Sequence, residues 1–140
     1  MRRLLTIGLV CSALAACAVP SPFAVPTLPG PPGDLAADRA ACTRQYPRHI
    51  GNYLAHAQCV NAAVERDAIP FARYPDLVRL QERLRVKYSG LIDQGVLSVR
   101  EGERKMAEAD ELANEAIRDR DRGRQEVAEH RLDRLQAMLE

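Results

Sequence analysis

Apolar and polar positions change rhythm twice along this chain. From Leu4 to Ala16 the side chains are apolar, broken only by Thr6, Gly8 and Ser12. From Cys17 to Gly33 they are scattered among six prolines and two glycines, so helix is blocked and an extended, polyproline-like segment is expected. From Asp34 onward apolar residues recur at helical spacing. Asp34 is placed to cap a first helix carrying Leu35, Cys42 and Tyr46, and Pro47 with Gly51 marks a turn. A second helix is expected from about Asn52, with Tyr53, Ala57, Val60 and Val64 on one face, ending before Pro70. Pro75-Asp76 opens a third, whose stripe Leu77, Leu80, Leu84, Tyr88 and Leu91 is the most regular in the chain. Arg79, Glu82, Arg83 and Lys87 take its other side.

Gly95 breaks that helix, and Ser98-Val99-Arg100-Glu101 forms a capping box for the next. This fourth helix is expected to run to the chain end, about 40 residues or roughly 60 Å long. Met106, Ala109, Ala113, Ala116 and Ile117 give its first half a narrow apolar seam, and Ala128, Leu132, Leu135 and Leu139 stripe its second. Between them lies the charged interval Arg118 to Arg124, in which Gly123 is the natural hinge. Residues 118–140 are therefore an extension of the helix, a separate helix, or a solvated tail. The expected fold is all-α: a helical hairpin, then a second hairpin with a long C-terminal helix, all within 34–140.

Aromatic residues are only 4% of the chain and there is no Trp, so the core must rest on aliphatic stripes and is thin enough to need a staple. Met1-Arg2-Arg3 followed by the apolar run has the plan of a secretory signal, and that run of about 13 residues is too short for a bilayer that asks for roughly 20. Removing residues 1–16 takes away Arg2 and Arg3 and moves the formal charge from +1 to −1. Without a basic run, no nucleic-acid partner is expected.

Leu14-Ala15-Ala16-Cys17 resembles the lipobox of bacterial lipoproteins. The resemblance implies cleavage before Cys17, lipidation of its thiol with diacylglycerol, and a leash over 17–33 reaching roughly 50 Å from the membrane. Ala18 stands where an Asp would signal inner-membrane retention, so the implied address is the outer membrane, facing the periplasm. Cys42 and Cys59 are then the remaining cysteines, and in an oxidising compartment they are expected to pair. They flank the proposed turn symmetrically about Gly51, which antiparallel helices would bring level. A metal reading of His49, His56 and Cys59 is the weaker one, because His56-x-x-Cys59 alone does not make a tetrahedral site.

The stretch from Cys42 to Ile117, with its paired cysteines and Tyr74-Pro75-Asp76-Leu77 helix start, is similar to small uncharacterised helical lipoproteins of proteobacteria, a likeness that implies no activity. Leu91 to Glu101 looks like the helix-turn-helix of short C-terminal (SHOCT-type) interaction modules. The sequence holds no nucleophile elbow and no phosphate loop, so no enzyme, cofactor or catalytic residue is expected. The reading is an envelope adaptor anchored through Cys17. Its expected interaction face, for an envelope protein or its own copies, is Met106, Ala109, Ala113, Ile117, Leu132 and Leu135. Noncovalent peptidoglycan binding is the alternative. A chaperone or carrier ranks lower, since so few large apolar residues do not suffice to line a cavity.

Overall fold

A computed structural model describes residues 33–140. The leader expected over 1–16, the lipidation expected at Cys17 and the tether expected up to Pro32 lie outside the described residues. Among those described there are five α-helices: α1 (Leu35–Gln45), α2 (Tyr53–Asp67), α3 (Pro75–Asp93), α4 (Val99–Asp121) and α5 (Gln125–Ala137). A 3-10 turn, Ile69–Phe71, joins α2 to α3. The fold is all-α, and none of the described helices is long and apolar enough to cross a membrane.

Local chemistry sets the boundaries. Asp34 accepts a hydrogen bond from the Ala37 N–H, and Pro75 occupies the first turn of α3. The Ser98–Glu101 capping box is complete in both directions. α3 and α4 each end in the same device. Gly95 (φ 70°) and Gly123 (φ 69°) adopt the left-handed conformation, and the N–H groups of Val96 and Arg124 donate back to the carbonyls of Leu91 and Asp119.

That device decides among the alternatives for residues 118–140 in favour of a separate helix, broken at Gly123. The C-terminal helix does not run to the chain end: it stops at Asp121, turns at Gly123 and returns as α5 along α4 and α3. The reason is the stripe of α5, which finds its partner within the chain. Leu135 and Ala128 are fully buried, and Leu132 packs partly buried against the same core. Asp119 locks the return, its buried carboxylate accepting from the guanidinium groups of Arg124 and Arg131. The Arg131 hydrogen bond comes first among the contacts that hold that carboxyl below its ordinary pKa.

α3 is the hub. Leu77, Leu80, Leu84 and Tyr88 pack against Ala109, Leu112, Ala113 and Ala116 of α4 and Leu135 of α5. The seam singled out in the sequence is thus spent inside the chain: Ala109, Ala113 and Leu135 are core, and Met106, Ile117 and Leu132 border it. Ala109, Ala113 and Leu135 are closed to a partner. Gly102 lets α4 approach α3 closely, for a Cβ there would collide with the side chain of buried Ile92.

A second, smaller cluster joins Cys42 of α1 to Cys59, Val60 and Val64 of α2 and to Ile69, with Val78 of α3 packed against it. Cys42 and Cys59 form the expected disulfide, with Cα atoms 5.7 Å apart. At the far end of α1, Arg66 pairs with both Asp38 and Asp67, and Asp67 accepts from the Gly33 N–H at 3.0 Å.

α2 has no side-chain cap of its own. Asp93, from the last turn of α3, supplies one: its Oδ1 accepts from the N–H groups of Gly51 (2.7 Å) and Tyr53 (3.2 Å), and its Oδ2 from Leu54 (2.8 Å). A carboxylate at a helix N-terminus gains from both the hydrogen bonds and the helix dipole. Asp93→Ala is expected to lower unfolding free energy by about 2 kcal/mol, and Asp93→Asn by less, because the amide keeps one acceptor. Urea denaturation of the three proteins checks this; coincident curves would mean the cap contributes nothing.

Candidate binding groove

Two helices packed on a common third need not meet. α2 and α4 both lie against α3 and stay apart from each other. Between them is a groove of about 780 Å³, within the range typical of small-ligand sites. α3 forms its floor with Val78, Gln81, Arg85 and Ser89, and α4 forms one wall with Glu103, Met106, Asp110 and Asn114. The other wall comes from α2 and from Arg39, Thr43 and Arg48 in and after α1.

The cations of this groove converge. Arg85 is half-buried and donates to Asn61 Oδ1 at 2.5 Å, and it has no ion-pair partner among the described residues. Burial lowers its pKa from the usual guanidinium value; Asp110 opposes that, and the like charges of Arg39 and Arg48 add to it. His56, buried beside them, is held below the ordinary imidazole value by burial and then by Arg48 and Arg85. Its Nε2 lies 3.3 Å from the Thr43 hydroxyl. Arg39 and Arg48 are exposed on the rim, so their charge faces the opening.

The opposite wall is anionic. Glu103 and Asp110 are both exposed, and Asp110 accepts from Gln81 Nε2 at 3.1 Å. The groove therefore presents cations on one side and carboxylates on the other, with Ala57, Val60, Val78 and Met106 giving small and medium apolar surface between.

Of the residues singled out in the sequence, Met106 and Ala109 line this groove as well as bordering or joining the core. Ala113, Ile117, Leu132 and Leu135 belong to the α3–α4–α5 packing instead. His56 lines the groove, while His49 is tied up in the α1–α2 turn with Ile50 and Asn52. Cys59 is consumed by the disulfide. Sequence reasoning did not find Arg39, Arg48, Arg85 or Asp110. The one available signal was the second face of α3, Val78, Glu82, Arg85 and Ser89, whose helical spacing was hidden by its polarity.

Glu82 belongs to that second face and is buried there. Its Oε1 has no hydrogen-bond partner among the described residues. Asn61 Nδ2 donates to its backbone carbonyl at 2.9 Å and so ties α2 to α3 at this point. Burial, and then the neighbouring carboxylate of Glu65, raise its pKa from 4.5 to about 7.

No family model, curated protein or solved structure matches this chain.

The raised Glu82 pKa has a defined sign. The folded state holds the proton more tightly than the unfolded, so the stabilisation is fully present below pH 4.5 and is lost as pH rises to about 7. With solvent screening allowed for, the loss is on the order of 1–2 kcal/mol. Glu82→Gln is expected to match the parent near pH 4.5 and to exceed its stability at pH 8. Urea midpoints at the two pH values measure this. An identical pH dependence in both proteins would show that Glu82 ionises freely in the fold.

Proposed function

We propose that this chain is a lipid-anchored lipoprotein of the cell envelope, held through Cys17 at the periplasmic face of the outer membrane, where it acts as an adaptor. The observation that carries the reading is the groove between α2 and α4, a preformed concave surface with groups of both charges and apolar patches. Such surfaces bind rather than merely fill space. The disulfide agrees with an oxidising compartment. The Pro-rich composition of 17–33 suits a spacer between an anchor and the domain.

The interaction surface in this reading differs from the seam first expected. Most of that seam is packed into the core, and of its six residues only Met106 and Ala109 line the groove, where partners would meet the chain. A photo-crosslinking side chain placed at Ala107 on the groove wall, in full-length tagged protein in living cells, is expected to capture one envelope partner reproducibly. The same group placed at Glu126, exposed on α5, serves as the comparison. Recovery of the lipidated monomer alone from both positions would contradict the adaptor reading.

A further inference from the structure

The lining of the groove restricts what can occupy it. A purely apolar ligand would leave Arg85 half-buried with no direct ion pair, only the carboxylate of Asp110 acting on it from the groove wall. A simple anion would satisfy the arginines but face Glu103 and Asp110 across the opening. A simple cation has the converse problem. The remaining polar lining is neutral: Thr43, Gln81, Ser89 and Asn114 offer hydroxyl and amide groups of the kind that pair with peptide bonds. The apolar lining offers places for methyl-sized groups beside the charged positions.

We propose that the groove binds a short zwitterionic peptide. Its carboxylates lie against Arg85, Arg39 and Arg48, its amine against Glu103 and Asp110, and its small side chains on Val60, Val78 and Met106. The inference rests on the groove being the working surface, as the adaptor reading holds, and adds the chemistry of what it receives. Arg85 is the anchor because it is half-buried and fixed by Asn61, so little ordering remains to be done when a carboxylate arrives. Arg39 and Arg48 steer from the rim.

The test titrates the full-length lipidated chain, in nanodiscs of neutral lipid, with alanyl-glutamyl-lysine. The comparison ligands are the same peptide with its carboxylates amidated, the same peptide with its amines acetylated, and glutamate alone. The unmodified tripeptide is expected to bind, and amidation to weaken it at least about tenfold. Arg39→Gln combined with Arg48→Gln is expected to weaken the tripeptide by a similar factor. Both residues are exposed and unpaired among the described residues, so the fold is untouched; Arg85→Gln extends the series. Glu103→Gln with Asp110→Asn is expected to weaken the free-amine peptide but not the acetylated one. Equal binding of the amidated peptide would overturn the proposal, as would glutamate binding as tightly as the tripeptide or an absence of tripeptide binding. Free peptide and peptide joined to the cell wall share this chemistry. Tripeptide binding with cosedimentation on purified sacculi assigns the second source, binding without it the first, and either upholds the proposal. Partner capture in cells without tripeptide binding would sink this inference and leave the adaptor reading standing.

Discussion

The Cys42–Cys59 disulfide is the constraint on which the groove side of the molecule depends. α1 has almost no apolar face: its buried residues are Asp38 and Cys42, and its backbone lies against α2 alone among the described helices. Packing energy cannot hold such a helix. The crosslink closes a loop between positions 17 apart, worth about 3 kcal/mol in the chain-entropy picture, and it does so at the one buried apolar residue of α1. The Arg66 pairs with Asp38 and Asp67 then keep the other end of the helix in register. Arg39, Thr43 and Arg48 reach the groove only because α1 is held there.

The rest of the domain divides the work differently. The α3–α4–α5 side is apolar in the ordinary way, with a leucine stripe set against an alanine-rich seam, and its helices approach closely at Gly102 and Ile92. The α2–α3 side is polar. Asn61 bridges the Glu82 carbonyl and the Arg85 guanidinium, Asp93 caps α2, and Glu82 is buried with an unsatisfied oxygen. Polar interfaces hold position well, because each bond has a direction, but they stabilise weakly. A thin core with few aromatics therefore spends most of its large apolar residues on one side of α3 and adds polar contacts and a crosslink to a smaller apolar cluster on the other. The groove opens where the two sides fail to meet.

Much of this was legible in the sequence. Pro75, Ser98 with Glu101, Gly95 and Gly123 act locally, through caps and left-handed turns, so their roles follow from residue type and spacing. The pairing of Cys42 with Cys59 followed from their symmetric placement about Gly51. The fate of the Leu132 and Leu135 stripe did not follow. An amphipathic face states that it will be covered, and only the turn at Gly123 decides whether the cover is another molecule or the same chain. Asp93 over α2 and Arg85 with Arg39 were invisible for a related reason. Each joins positions roughly 40 residues or more apart, and nothing in the local pattern distinguishes a capping aspartate or a groove arginine from one facing water. The leader, lipobox and tether expected from the sequence are also local patterns, and they fall on residues outside those the structure describes.

Hydrogen exchange of the intact chain, compared with and without mild reductant, tests the dependence on the crosslink most directly. Reduction is expected to release residues 35–50 to fast exchange while residues 75–137 keep their protection, since α3, α4 and α5 share a core that α1 does not touch. Unchanged protection of α1 after reduction, or simultaneous loss of protection along the whole domain, would contradict the account.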